Sequence, residues 1–177
     1  MRVISGKARG NKLISLEGDL TRPTTDRVKE AMFSIIQMNI DGSVVLDLFA
    51  GSGALGIEAL SRGAVWCDFV EKNKQALDVI QKNIEKTKLI DISMLHNVTA
   101  HSFLEKCSKK YDVVFLDPPY NNGLCEQAME LLRKYNLLNP NAIIVCEVSS
   151  KEAITSTYTE KKQVKYGNTK LVIFENR

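Results

Sequence analysis

Histidine is scarce in this chain, cysteine is scattered, and long apolar runs are missing; each absence removes a class of function. The histidines His96 and His101 and the single cysteines Cys67, Cys107, Cys125 and Cys146 form no C-x-x-C pair and no cluster of zinc-ligand spacing. The cysteines are expected to be reduced small hydrophobes, with no metal site, and His101 is expected at the surface. No stretch approaches the ~20 apolar residues that cross a bilayer, so no membrane partner is expected. The opening MRVISGKARGNK has neither the apolar core nor the cleavage site of a secretion signal, and a cytoplasmic protein is expected. Repeats and low-complexity segments are also lacking.

A strong excess of either charge is missing too, but what charge there is lies unevenly. Seven of the 24 Lys/Arg and four of the 21 Asp/Glu fall in residues 1–40, so the net +3 sits there and the remainder is neutral. Arg2, Lys7, Arg9 and Lys12 occur within the first twelve residues without an acid. A neutral body with a basic arm is the asymmetry of a nucleic-acid contact, and equally that of a solvated terminus. The 177 residues, 44% apolar and 25% charged, suit one domain or one domain with a small extension.

The pattern that is present begins with two weakly alternating stretches, RVI and KLISL, around SGKARGN, which predict a β-hairpin on a Gly-containing loop. A helix is expected next, capped by Thr24 or Thr25, with Val28, Met32, Ile35 and Ile36 at helical spacing. From residue 43 apolar strands (43–48, 65–70, 92–98, 112–116, 142–148) alternate with helices (53–62, 73–87, 100–106, 123–135). Such alternation predicts a parallel sheet covered on both faces. The end differs: KQVKY and TKLVIFE, joined by GN, predict an antiparallel hairpin and hence seven strands. The expected fold is thus α/β and Rossmann-like, with residues 1–40 as an extension and 41–177 as the main domain.

VVLDLFAGSGALGIEAL holds Gly51, Gly53 and Gly56 as G-x-G-x-x-G, and Glu71 follows 20 residues after Gly51. Read mechanically, this is a dinucleotide fingerprint, the acid binding ribose hydroxyls. Asp47, four residues before the first glycine, argues against a pyrophosphate, which it would repel. A ligand with a ribose, a cationic sulfonium and an amino group, S-adenosylmethionine, suits the same residues better. Asp47, Phe49, Gly51, Gly53 and Glu71 are the candidate cofactor residues, with Thr99 and Ala100 near the adenine. No acid stands at 99–100, so backbone N–H groups of Ala100 or His101 are the expected adenine contacts.

YDVVFLDPPY ends an apolar strand on Asp117, Pro118, Pro119 and Tyr120. In an open α/β sheet ligands bind beyond the carboxyl ends of strands, where Asp47 and Glu71 also point. A base amine is a poor nucleophile because its lone pair is delocalised into the ring. The Asp117 carboxylate and the rigid Pro118 carbonyl can accept its two N–H groups and aim the lone pair, and Tyr120 offers a face for a flipped base. A lone D-P-P would be only a tight turn.

At these residues the chain resembles the RsmD type of bacterial 16S ribosomal RNA guanine-N2 methyltransferases. The resemblance rests on MRVISGKARGNKL, TRPTTDRVKEAMFSII, VLDLFAGSGALGIEALSRGA, FVEKN, FLDPPY and KYGNTKLVIFE, nearly the whole chain. It implies a seven-stranded methyltransferase fold, S-adenosylmethionine, and a guanine of 16S rRNA presented in a small-subunit particle. By position it assigns Asp117, Pro118, Pro119 and Tyr120 to catalysis and Asp47, Gly51, Gly53 and Glu71 to the cofactor. Lys7, Arg9, Lys12, Arg22 and Arg27 are the candidate phosphate contacts on the RNA. A monomer is expected. Because D-P-P-[YF] also occurs in adenine-N6 methyltransferases, such an enzyme acting on RNA or DNA is the alternative, although ~180 residues leave no room for a separate DNA-recognition domain. A dinucleotide-binding or non-enzymatic Rossmann protein is the third reading.

Overall fold

The computed structural model describes residues 1–16, 26–119 and 123–177. Seven strands form one sheet: β1 (Val44–Asp47), β2 (Trp66–Val70), β3 (Ser93–His96), β4 (Tyr111–Leu116), β5 (Leu138–Ser149), β6 (Thr159–Tyr166) and β7 (Thr169–Glu175). Their order is β3-β2-β1-β4-β5-β7-β6, parallel except for β7, which is antiparallel to both neighbours. The helices are α1 (Asp26–Ile35), α2 (Ala54–Ser61), α3 (Lys74–Thr87), α4 (Ala100–Lys106) and α5 (Leu124–Lys134). The expected architecture is the observed one. Among the described residues no helix is long and apolar enough to cross a membrane.

Strand periodicity divides the core. Val45, Cys67, Phe69, Val113 and Phe115 face the cluster that holds α1, α2 and α3. Leu46, Val70, Val114, Leu116 and Ile144 face α4 and α5. Three cysteines are buried and Cys107 is half-buried, all four free. α2 is buried along its entire length: its apolar residues need cover on most sides, and its Glu58 and Ser61 are covered by the N-terminal arm. β2 covers one side so closely that a Cβ on Gly56 would stand 2.3 Å from a Phe69 ring carbon. The N-terminal arm supplies cover elsewhere: Val3, Ala8 and Leu13 belong to the same apolar cluster.

Three elements differ from expectation. The N-terminal hairpin shrinks to one antiparallel bridge, Arg2 with Lys12. The reason lies in where its amides go. Ile4 and Ser5 donate to the Glu58 carboxylate (2.9 and 3.0 Å), Lys7 to the Ser61 carbonyl and Ala8 to Ser61 Oγ (2.8 and 2.9 Å), so the cross-hairpin bonds stop at Val3 and do not extend along the loop. β5 begins at Leu138 rather than 142, because a register shift after Tyr111 accommodates Asn139–Asn141 before Ile143 pairs with Val113. β6 starts at Thr159, three residues before the expected KQVKY. The helix after the arm is present as α1, while its expected caps Thr24 and Thr25 lie outside the described residues.

Candidate functional site

β1 is the first strand of the sheet, and the chain winds away from it on both sides, through β2 and β3 and through β4 and β5. The crevice at this reversal, beyond the carboxyl ends of β1 and β4, is the usual ligand position in such sheets. Asp47 lies opposite Phe69 of β2 and Phe115 of β4 in register. Two residues further along those neighbours stand Glu71 and Asp117. Three carboxylates from separate sequence regions therefore stand at or just beyond the carboxyl ends of three neighbouring strands.

The loop between β1 and α2 is held by two of them. Asp47 is 2% exposed, and its Oδ2 accepts the Gly56 N–H at 2.9 Å, satisfying an amide of the first turn of α2. Burial pushes its carboxyl up to about 7, opposed by the Gly56 bond and reinforced by the negative charge of Glu71. Glu71 accepts the Gly51 N–H at 3.0 Å through Oε2 and the Asn73 N–H at 2.8 Å through Oε1. Asn73 in turn caps α3, taking the Ala76 N–H at 3.1 Å. Gly51 and Gly53 adopt φ of +55° and +80°, which side chains disfavour. A Cβ built on Gly51 meets nothing within 4 Å, so the backbone there faces open space, whereas one on Gly53 would stand 3.1 Å from the Ile80 side chain of α3.

Phe49 is half-buried and packs, as Ala100 does, against the α4–α5 cluster. Thr99 is exposed and caps α4, its hydroxyl accepting the Ser102 N–H at 3.2 Å. His101 is exposed. Asp117 is half-buried, Pro118 buried and Pro119 exposed, immediately beyond β4. Tyr120 lies outside the described residues, as does Arg22. Lys7, Arg9, Lys12 and Arg27 are all exposed.

Two contributors escaped sequence reasoning. Asn97 donates to the carbonyls of Glu71 and Lys72 at 2.9 and 3.1 Å, fixing the β2–α3 turn from the end of β3. Asn83 of α3 reaches the carbonyl of Ser52 at 3.0 Å, inside the glycine loop. Asparagine in a polar turn or helix carries no signal of such a task. Among the described residues no three His, Cys, Asp or Glu side chains are grouped to hold a metal.

Comparison with known proteins agrees with this geometry. The family model described as "Conserved hypothetical protein 95" matches residues 1–175. The chain belongs to this family. A relative from Haemophilus influenzae, "Ribosomal RNA small subunit methyltransferase D", is 38% identical over 99% of this chain and 94% of its own length. The protein of the same name from Escherichia coli strain K12 is 38% identical over 83% of this chain and 74% of its own. A solved Escherichia coli structure superposes with a TM-score of 0.90 at 32% identity, covering 100% of this chain and 98% of that one. An RNA methyltransferase from Salinibacter ruber, solved with S-adenosyl-L-homocysteine, shares the fold (TM-score 0.71, 16% identity, 87% and 93% covered).

The residues fit S-adenosylmethionine by their chemistry. No cation stands in the glycine loop, the Glu71 and Asp47 carboxyls hold the Gly51 and Gly56 amides on either side of it, and the open space over Gly51 leaves backbone accessible. That set suits a ribose and a cationic sulfonium, and opposes a pyrophosphate.

Proposed function

We propose that this protein transfers a methyl group from S-adenosylmethionine to the exocyclic N2 amine of a guanine in 16S ribosomal RNA, within an assembling small-subunit particle. The observation that carries the reading is that Glu71 and Asp117 each stand two residues beyond Phe69 and Phe115, the residues that flank Asp47 in register. The family membership and the names of the relatives support ribosomal RNA as substrate.

In this mechanism Glu71 receives the ribose hydroxyls. Asp47 draws the positive end of the ligand, and Gly51 and Gly53 let the backbone approach it. Phe49, Ala100 and the turn at Thr99 flank the adenine. When bound, S-adenosylmethionine supplies an electrophilic methyl on a sulfonium that leaves as a neutral thioether. Asp117 and the Pro118 carbonyl accept the two N–H groups of the amine and turn its lone pair toward the methyl, with Pro119 stiffening the turn. Tyr120 stacks on the base. Once the N–C bond has formed, the nitrogen sheds one proton to Asp117 or to water. Orientation supplies most of the acceleration. Lys7, Arg9, Lys12, Arg22 and Arg27 contact RNA phosphates, and the enzyme acts as a cytoplasmic monomer.

Asp117→Ala is expected to reduce methyl transfer on the order of 10²–10³-fold while S-adenosylhomocysteine affinity stays within a few-fold. Turnover near the wild-type rate would rule out the acceptor role. Mass spectrometry of rRNA nucleosides from cells lacking the protein should show one N2-methylguanosine missing. Loss of N6-methyladenosine instead would make the enzyme an adenine methyltransferase.

A further inference from the structure

α3 carries a side chain that belongs equally to the N-terminal arm and to the glycine loop. Asn83 is 0% exposed. Its Oδ1 accepts the Ile14 N–H at 2.7 Å, and its Nδ2 donates to the Ile14 carbonyl at 2.9 Å and the Ser52 carbonyl at 3.0 Å. Both amide hydrogens and an acceptor lone pair are thus in use. Ile14 follows Lys7, Arg9 and Lys12 on the arm, and Ser52 lies between Gly51 and Gly53. The same loop is held from its other side by Glu71 at the Gly51 N–H. A buried amide flanked by the core residues Ile80 and Ile84 is costly unless every bond is made, so the three contacts stand or fall together.

We infer that Asn83 is a positioning residue that couples the RNA-contacting arm to the cofactor loop, so that occupation of either favours occupation of the other. Ordering Ser52 orders the amide, and the amide orders both backbone groups of Ile14. Coupling of this kind is reciprocal: if cofactor tightens RNA binding by some factor, RNA tightens cofactor binding by the same factor. The inference rests on the reading that the arm meets RNA and the loop meets S-adenosylmethionine.

The test measures RNA affinity with and without saturating S-adenosylhomocysteine, using small-subunit particles lacking the methyl mark, for the wild type and Asn83→Ser. Wild type should bind RNA roughly 5–10-fold more tightly with the ligand, and Asn83→Ser should bring that ratio to about 1. A merely bracing Asn83 would lower the melting temperature and leave the ratio intact, which would overturn the coupling; so would a wild-type ratio of 1. Hydrogen exchange on the unaltered protein decides the matter if the variant does not fold. S-adenosylhomocysteine should slow exchange of the amides from Val3 to Ile14 more than those of the β6–β7 hairpin. Equal protection of the two, or none in the arm, overturns the inference. Absence of any ligand or RNA binding by the wild type would instead sink the proposed function itself.

Discussion

Asp47 carries two demands at one carboxylate. It must accept the Gly56 N–H from a fully buried position, and burial pushes its proton affinity up to about 7 from an ordinary 3.8. The folded protein therefore holds this proton more tightly than the unfolded chain does. By linkage its stabilising contribution is fully present below about pH 4 and is lost as pH rises through about 7. Asp47→Asn keeps the shape and an acceptor oxygen but cannot ionise. The melting temperature of the variant minus that of wild type should rise steadily from pH 4 to pH 8 in scanning calorimetry. A difference independent of pH would mean that Asp47 titrates near its ordinary value. Asp68 shows the opposite balance: burial pushes its carboxyl up, but His96, Lys109 and Tyr111 bind it and bring the net value down.

At the scale of elements, the N-terminal arm is attached to α2 by a buried charge centre. Glu58 pairs with Lys29 of α1 at 3.1 Å, both side chains 0% exposed, and with Arg62 at 2.7 Å. Lys29 also donates to the Arg2 carbonyl at 2.6 Å. Burial lowers the Lys29 pKa despite the opposing pull of Glu58. Removing one member of a buried pair leaves the other uncompensated, so Glu58→Ala should cost about 3–5 kcal/mol in urea denaturation. Glycines of the arm make a sharper comparison. A Cβ on Gly6 would stand 1.8 Å from the Ser61 carbonyl oxygen, at φ +84°. On Gly10, at φ +87°, it would meet nothing. Gly10→Ala should cost about 1–2 kcal/mol of backbone strain. Gly6→Ala should add about 1–3 kcal/mol of overpacking and make the arm sensitive to protease. Equal effects of the two would show that the arm is not seated on α2.

For the molecule as a whole, charge and fold were legible to different degrees. The strands were readable because β1, β2, β4 and β5 are apolar runs ending at turn residues, and the glycine loop because Gly51 and Gly53 need positive φ. That Asp47, Glu71 and Asp117 end neighbouring strands follows from the order β2-β1-β4. The seating of the arm was not legible. Its bonds to α2 and to Asn83 join residues 53 to 69 positions apart, and Glu58 sits in a mostly apolar helix where a single acid looks solvated. The basic excess shrinks accordingly. Lys29 counts toward it in sequence yet is neutralised inside the protein, and Arg2 stands 3.9 Å from Asp26. Among the described residues of this segment, Lys7, Arg9, Lys12 and Arg27 remain exposed. Charge reversal of Lys7 and Arg9 together should weaken RNA binding and reduce the slope of log affinity against log salt by about 2. An unchanged slope would return the arm to a structural role.

The long reach of these arm contacts also sets an order of events during synthesis. The arm leaves the ribosome before its partners at Glu58, Ser61 and Asn83, which are translated some fifty to seventy residues later. Bonds that close such loops form after local structure exists to receive them. α2, apolar apart from Glu58 and Ser61, therefore waits for a partner that was made before it and is still undocked. A nascent chain halted before α2 would leave Val3, Ala8 and Leu13 exposed, with the helix that covers them not yet made.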